Sequence, residues 1–177
     1  LLSDDEVNQM EKIDAARRRG KFLKHHCHVM KVDVATGKTV WKGDIDELVF
    51  PCMALKNNQV LLQTPSRVMA LGQETGKDNW SADFSIELPI SGNKLKNSEM
   101  QWEAPTLVAS EDVVLSADFK KVSAYDSRTG KELWSGKSTK GYNAPADVFL
   151  IDGLLWMGDK SSRRAYDPRT GKLRRTL

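Results

Sequence analysis

The stretch Ala124-Tyr125-Asp126-Ser127-Arg128-Thr129-Gly130-Lys131-Glu132-Leu133-Trp134 occurs in four versions along the chain. Aligned on the Thr-Gly pair, the copies run from Val32 to Trp41, Ala70 to Trp80, Ala124 to Trp134 and Ala165 to Arg175. Their glycines, Gly37, Gly76, Gly130 and Gly171, are spaced by 39, 54 and 41 residues. Self-similarity at a period of about forty residues is the mark of a repeat architecture, in which each repeat buries its apolar face only against a neighbour.

Each copy reads as strand, turn, strand. Val122 to Tyr125 alternates as a half-buried strand does, and Glu132-Leu133-Trp134 resumes strand character after the turn. Between them, an Asp carboxylate (Asp33, Asp126, Asp167) can accept from backbone N–H groups two residues on, and Gly supplies the positive φ that closes a bulged hairpin. Lys38, Lys77, Lys131 and Lys172 follow at the exposed tips. The Trp four residues past Gly (Trp41, Trp80, Trp134) brings a large flat apolar surface suited to wedging against a neighbouring repeat.

Two further strands precede each copy. Before the third they are Pro105–Ala109 and Asp112–Ala117, turning at Ser110-Glu111. The second repeat has Pro51–Leu55, Val60–Thr64 and Arg67–Leu71; the fourth has Asp147–Ile151, Leu154–Gly158 and Arg164–Tyr166. Four short antiparallel strands per repeat describe an all-β propeller of four-stranded blades, here about three complete blades plus part of another.

The pattern Ala-x-Asp-x-x-Thr-Gly-x-x-x-Trp, with these two strand types before it, resembles the blades of the pyrroloquinoline-quinone-like (PQQ-like) propellers over roughly residues 29–177. That family includes quinoprotein dehydrogenases and the propeller lipoprotein of outer-membrane protein assembly. The resemblance implies a periplasmic or secreted location, and makes PQQ and calcium conceivable cofactors. Two departures stand out: Gly72 replaces the turn Asp in the second copy, and Arg175 replaces the Trp in the fourth.

Three blades and the end of another do not close a ring of four to eight blades. The chain is therefore expected to be an internal piece of a longer one, with separate chains closing the ring as the alternative. A net charge of +3 with mixed signs argues against nucleic acid as a partner. No run of eighteen apolar residues offers a membrane span. Cys27 and Cys52 leave the redox compartment open, and a bond between them is possible.

Residues 1–24 form an N-terminal helical insertion ahead of the blades at 25–177, with the helix over 3–19. Ser3 and Glu6 make a capping box, Leu2 and Val7 sit at staple positions, and Arg17-Arg18-Arg19 suit the negative end of the macrodipole before Gly20. Val7, Met10 and Ile13 form one apolar stripe. The arginines read as a solvated helix end rather than a phosphate patch. Lys24-His25-His26-Cys27-His28 invites a zinc or copper reading. On a strand, however, His25 and Cys27 point to one face and His26 and His28 to the other, so at most two ligands converge and a structural role is favoured.

Residues 85–103 lengthen the connection between two blades, and the helix falls in a second-to-third-strand connection. In an up-and-down meander both emerge on one face, opposite the Thr-Gly turns. That decorated mouth, with Asn93, Glu99 and Trp102, is the expected binding face, since long loops on a rigid scaffold carry function; neutral insertion is the alternative.

Two functional classes follow. One is a non-catalytic propeller scaffold that binds a protein or a cell-envelope ligand. The other is part of a quinoprotein dehydrogenase whose quinone and calcium site lies largely in further blades. The resemblance would give such an enzyme adjacent cysteines, a stacking Trp and an acid–amide calcium set; the sequence has no Cys-Cys pair, and Asp118, Asp147 and Asp159 form no recognisable set. Nucleophile elbows, phosphate loops and dinucleotide fingerprints are absent from the sequence. No catalytic residue is assigned.

Overall fold

The computed structural model describes residues 4–18, 27–45, 52–64, 66–86, 105–118, 120–138, 147–158 and 162–177. A helix, α1 (Asp4–Arg18), precedes four antiparallel sheets. The first has two strands, β1 (Cys27–Val32) and β2 (Thr39–Ile45). The second contains β3 (Met53–Lys56), β4 (Gln59–Gln63), β5 (Arg67–Gly72) and β6 (Asp78–Asp83); the third β7 (Thr106–Ala109), β8 (Val113–Ala117), β9 (Lys121–Asp126) and β10 (Glu132–Lys137). The fourth contains β11 (Val148–Ile151), β12 (Leu154–Gly158), β13 (Arg163–Tyr166) and β14 (Leu173–Thr176). Every strand pairs with its neighbour in sequence, so each sheet is a meander. These are three complete propeller blades and the outer half of another.

Turn chemistry sets the registers. Lys56 pairs with Gln59 around Asn57-Asn58, whose φ angles are 53° and 57°, and Ile151 pairs with Leu154 around Asp152-Gly153 at 51° and 73°. These are two-residue loops with both central residues left-handed, the geometry that matches strand twist. The third-to-fourth-strand hairpins all carry a register shift at the Thr-Gly turn, as a bulged closure demands.

The core lies between blades. Ile45, Val60, Leu62, Met69 and Leu71 fill the first seam, with Val29 and Trp41 against them. Leu61, Val68, Ala70 and Trp80 meet Val114 and Tyr125 in the second. Val113, Leu115, Val122 and Ala124 meet Val148, Leu155 and Met157 in the third. Alternate residues of one strand thus enter different seams, as Val113 and Val114 do. That is why the second strands read as continuous apolar runs: both faces are covered. The first strands β3, β7 and β11 approach one another from blade to blade, forming the inner edge. The two end faces of the array are different: Met30, Val32 and Val40 on the first sheet, and Phe149, Ile151 and Leu173 on the fourth, are exposed.

On α1, Val7 of the apolar stripe is 44% exposed, so that position contributes little burial. Ser3 and Arg19 lie outside the described residues.

Candidate functional site

Three of the four Thr-Gly turns share one construction. Asp126 Oδ1 accepts from the Arg128 and Thr129 N–H groups at 3.1 Å each and from Thr129 Oγ1 at 3.0 Å. Asp33 does the same for the Thr36 N–H and Oγ1 at 2.8 Å, and Asp167 for the Arg169 and Thr170 N–H groups. All three carboxyls sit below their ordinary value. The Thr36 hydroxyl does most at Asp33, and the Arg174 guanidinium at Asp167. At Asp126 burial pushes upward, but the bonds from Thr129 and Arg128 and the charge of Arg169 outweigh it. Gly72 lacks a carboxylate, yet its N–H still donates to Lys77 O and its C=O accepts from Gly76, both at 2.8 Å. Backbone closure therefore survives without the cap.

Each turn glycine is also half of a contact between blades. A Cβ on Gly76 would stand 2.6 Å from the Trp41 ring, one on Gly130 2.5 Å from Trp80, and one on Gly171 2.8 Å from Trp134. Each indole therefore lies against the turn of the following blade. Its Nε1 donates to the carbonyl three residues before that glycine: Trp41 to Gln73 at 2.9 Å, Trp80 to Ser127 at 3.0 Å, Trp134 to Pro168 at 2.8 Å. The ring supplies apolar contact and the N–H satisfies a carbonyl, so one side chain both packs and registers the blades. Arg175 occupies the Trp place in the fourth blade and is exposed. Among the described residues, nothing would lie within 4 Å of a Cβ on Gly37, first of the series.

The opposite mouth carries the second-to-third-strand turns. Thr64 Oγ1 accepts from the Ser66 and Arg67 N–H groups, and buried Asp118 accepts from Lys120 and Lys121 at 2.7 Å each. Lys121 Nζ lies 5.4 Å from the centre of the Phe84 ring, a cation–π contact that joins two blades. Deeper, Gln63 and Ser116 hydrogen-bond across the second seam, and Gln63 Nε2 donates to Thr64 O at 3.0 Å. Tyr125 donates to Asp83 O at 3.1 Å, and burial pushes its phenol up to about 12. Sequence reasoning missed this polar stitching; its one signal is a Ser inside the run Val113-Val114-Leu115-Ser116-Ala117. Asn93, Glu99 and Trp102, the residues expected to form the binding face, lie outside the described residues.

The His-rich segment is only partly described. His28 Nδ1 lies 2.6 Å from Asp44 Oδ1, its partner across the β1–β2 hairpin, and His25 and His26 lie outside the described residues. Cys27 and Cys52 are free thiols. Cys52 donates to Pro105 O at 2.6 Å, and burial pushes it up to about 11. Among the described residues, no three His, Cys, Asp or Glu side chains converge as metal ligands do. Of the acids considered for calcium, Asp118 caps its own turn and Asp159 lies outside the described residues. A calcium set of several converging oxygens is thus not found among the described residues.

The fold has relatives among solved structures. BamB from Moraxella catarrhalis superposes with a TM-score of 0.57 at 17% identity, covering 84% of this chain and 46% of that one. The quinohemoprotein alcohol dehydrogenase from Comamonas testosteroni gives 0.55 at 16% identity, covering 85% and 32%. A europium-containing methanol dehydrogenase gives 0.56 at 16% identity, covering 87% and 39%. The chain thus spans less than half the length of each. No curated protein matches it. Residues 25–176 match the family described as outer membrane protein assembly factor BamB, and the chain belongs to that family of PQQ-like propellers.

Proposed function

We propose that the chain is part of a non-catalytic propeller platform in the cell envelope, binding a protein or envelope component at the mouth opposite the Thr-Gly turns. The observation that carries this reading is how the recurring polar residues are engaged. Asp33, Asp126, Asp167, Thr64 and Asp118 all hold their own turns, and Gln63 and Ser116 hold a seam. Polar groups so engaged build a rigid frame and leave recognition to the connections it displays. The family description, an outer-membrane protein assembly factor, supports protein binding and periplasmic residence. No described helix is long and apolar enough to cross a membrane.

The test has two arms. Immobilised protein is exposed to solubilised envelope proteins of its source, with and without joint replacement of Asn93, Glu99 and Trp102 by Ala. Loss of a stoichiometric partner in the variant is expected, and an unchanged partner profile would place binding elsewhere. In parallel, the protein is titrated with PQQ and calcium. No saturable change in quinone absorbance is expected; stoichiometric binding would favour a share in a quinoprotein dehydrogenase instead.

A further inference from the structure

We infer that two buried pairs, Gln63 with Ser116 and Ala117 with Met157, fix blade order: through them the second blade accepts the third, and the third the fourth, in preference to a blade out of order. The outer contacts cannot make that distinction. Trp41, Trp80 and Trp134 each cover a turn glycine and bond the carbonyl three residues before it, so any of these indoles suits any of these turns. Chains of similar repeats are prone to misassembly and to exchange between copies. Discrimination has to come from positions that differ between seams.

One level of the seams differs in both size and polarity. Gln63 and Ala117 are equivalent last residues of second strands, opposite Val68 and Val122, and both face the following blade. Ser116 and Met157, opposite Ser123 and Arg164, are their equivalents facing the preceding blade. In the second seam the Ser116 hydroxyl donates to Gln63 Oε1, while Gln63 Nε2 donates to Thr64 O at 3.0 Å. In the third seam Ala117 and Met157 belong to one apolar cluster. All four residues are buried. One seam therefore sets a long side chain ahead of a short one, with a hydrogen bond between them. The other sets a short side chain ahead of a long one, without polar atoms.

Exchanging partners spoils both fits. With the fourth blade behind the second, Gln63 would meet Met157: two long side chains would share the room of one, and the Gln63 carboxamide oxygen would lose its donor. With the third blade of a second copy behind the third, Ala117 would meet Ser116, leaving a cavity and a buried hydroxyl without its acceptor. The penalty of a wrong succession lies in the unmatched pair, as specificity by exclusion requires.

The experiment makes the two seams alike. Gln63→Ala with Ser116→Met gives the second seam the pair of the third, and Ala117→Gln with Met157→Ser does the converse. Nitrogen-15-labelled and unlabelled copies of each protein are unfolded together in urea, refolded, treated with a short lysine-reactive crosslinker and mapped by mass spectrometry. The parent should link Lys77 to Lys131, the tips of successive turns. Each double variant should also link Lys77 of one copy to Lys172 of another, at least about tenfold more than the parent does. An unchanged yield of that link, in either variant whose far-ultraviolet circular dichroism matches the parent, overturns the inference. So does failure of both variants to fold, because each transplanted pair must be able to fill the other seam.

Discussion

Trp80 covers Gly130 across the second seam, so closely that a methyl group on the glycine would stand 2.5 Å from the ring, while the indole N–H is held by the Ser127 carbonyl at 3.0 Å. Gly130 answers two independent demands: a φ of 70°, which L side chains adopt at a cost, and an empty place for a neighbour's ring. Among the described residues Gly37 answers only the first, because its φ is 68° and nothing would lie within 4 Å of a Cβ there.

That pair separates the two costs. Gly37→Ala should destabilise by about 1–2 kcal/mol, the strain of a left-handed residue. Gly130→Ala adds the overpacking of a buried ring, for a total of about 2–5 kcal/mol. Urea midpoints of both variants check this; equal losses would mean that the Trp80 ring moves aside freely.

The turns and strands were legible because Asp-x-x-Thr-Gly fixes a bulged hairpin from local chemistry alone. The strand positions around it agree with the structure to within a residue or two, as β9 does in beginning at Lys121 and β13 at Arg163. That Trp would wedge against a neighbour was also readable from its size. Its hydrogen bond was not, because the acceptor is a main-chain carbonyl 32, 47 or 34 residues away, fixed only once the blades are stacked. Gln63 and Ser116 were hidden for the same reason: a polar residue at a strand end reads as exposed until the seam is known. The pairing of His28 with Asp44 needs the hairpin register, which the bulge after Lys31 shifts.

Trp80 itself should matter more than its counterparts. It is 8% exposed, while Trp41 and Trp134 are only half-buried. Trp80→Ala is expected to cost about 3–5 kcal/mol, and the same change at Trp41 or Trp134 less. Chemical denaturation of the three variants orders them; Trp41→Ala as the most harmful would contradict the burial argument.

Gly72→Asp should restore the missing cap. Gly72 is outside the left-handed region, and a Cβ there meets only the Thr75 hydroxyl closely, at 2.7 Å. In the first copy that Thr–Asp contact is a hydrogen bond, from Thr36 Oγ1 to Asp33. Gaining the bond and removing a flexible glycine from the unfolded chain should together add roughly 0.5–1.5 kcal/mol. A thermal melt reads the sign directly, and a lowered midpoint would show that Thr75 cannot give way.

The capping carboxylates predict acid sensitivity. Asp33, Asp126 and Asp167 are more acidic folded than the ordinary value of 3.8. Their contribution is therefore complete above that value and lost as pH falls through the lower folded values. Replacing all three by Asn keeps an acceptor oxygen but removes the titration. The variant should lose less stability than the parent between about pH 4 and pH 2. Parallel losses in urea midpoint would assign the acid sensitivity to other groups.

Cys52 offers a probe of whether the inner edge of the propeller opens. Its thiol donates to Pro105 O at 2.6 Å, linking the segments that lead into β3 and β7, and burial raises it to about 11. At pH 8 only about a thousandth of such a thiol is the reactive thiolate. Iodoacetamide at that pH should therefore leave Cys52 protected until denaturant is added, as peptide mass mapping would show. The protection rests on burial of Cys52 between two blades, so Gly130→Ala, which loosens the seam between the same blades, should speed its labelling. If Cys52 reacts as fast in the unaltered protein as it does in denaturant, the inner edges of these blades separate often enough to expose it, and the outer Trp80–Gly130 contact is then what keeps the blades together.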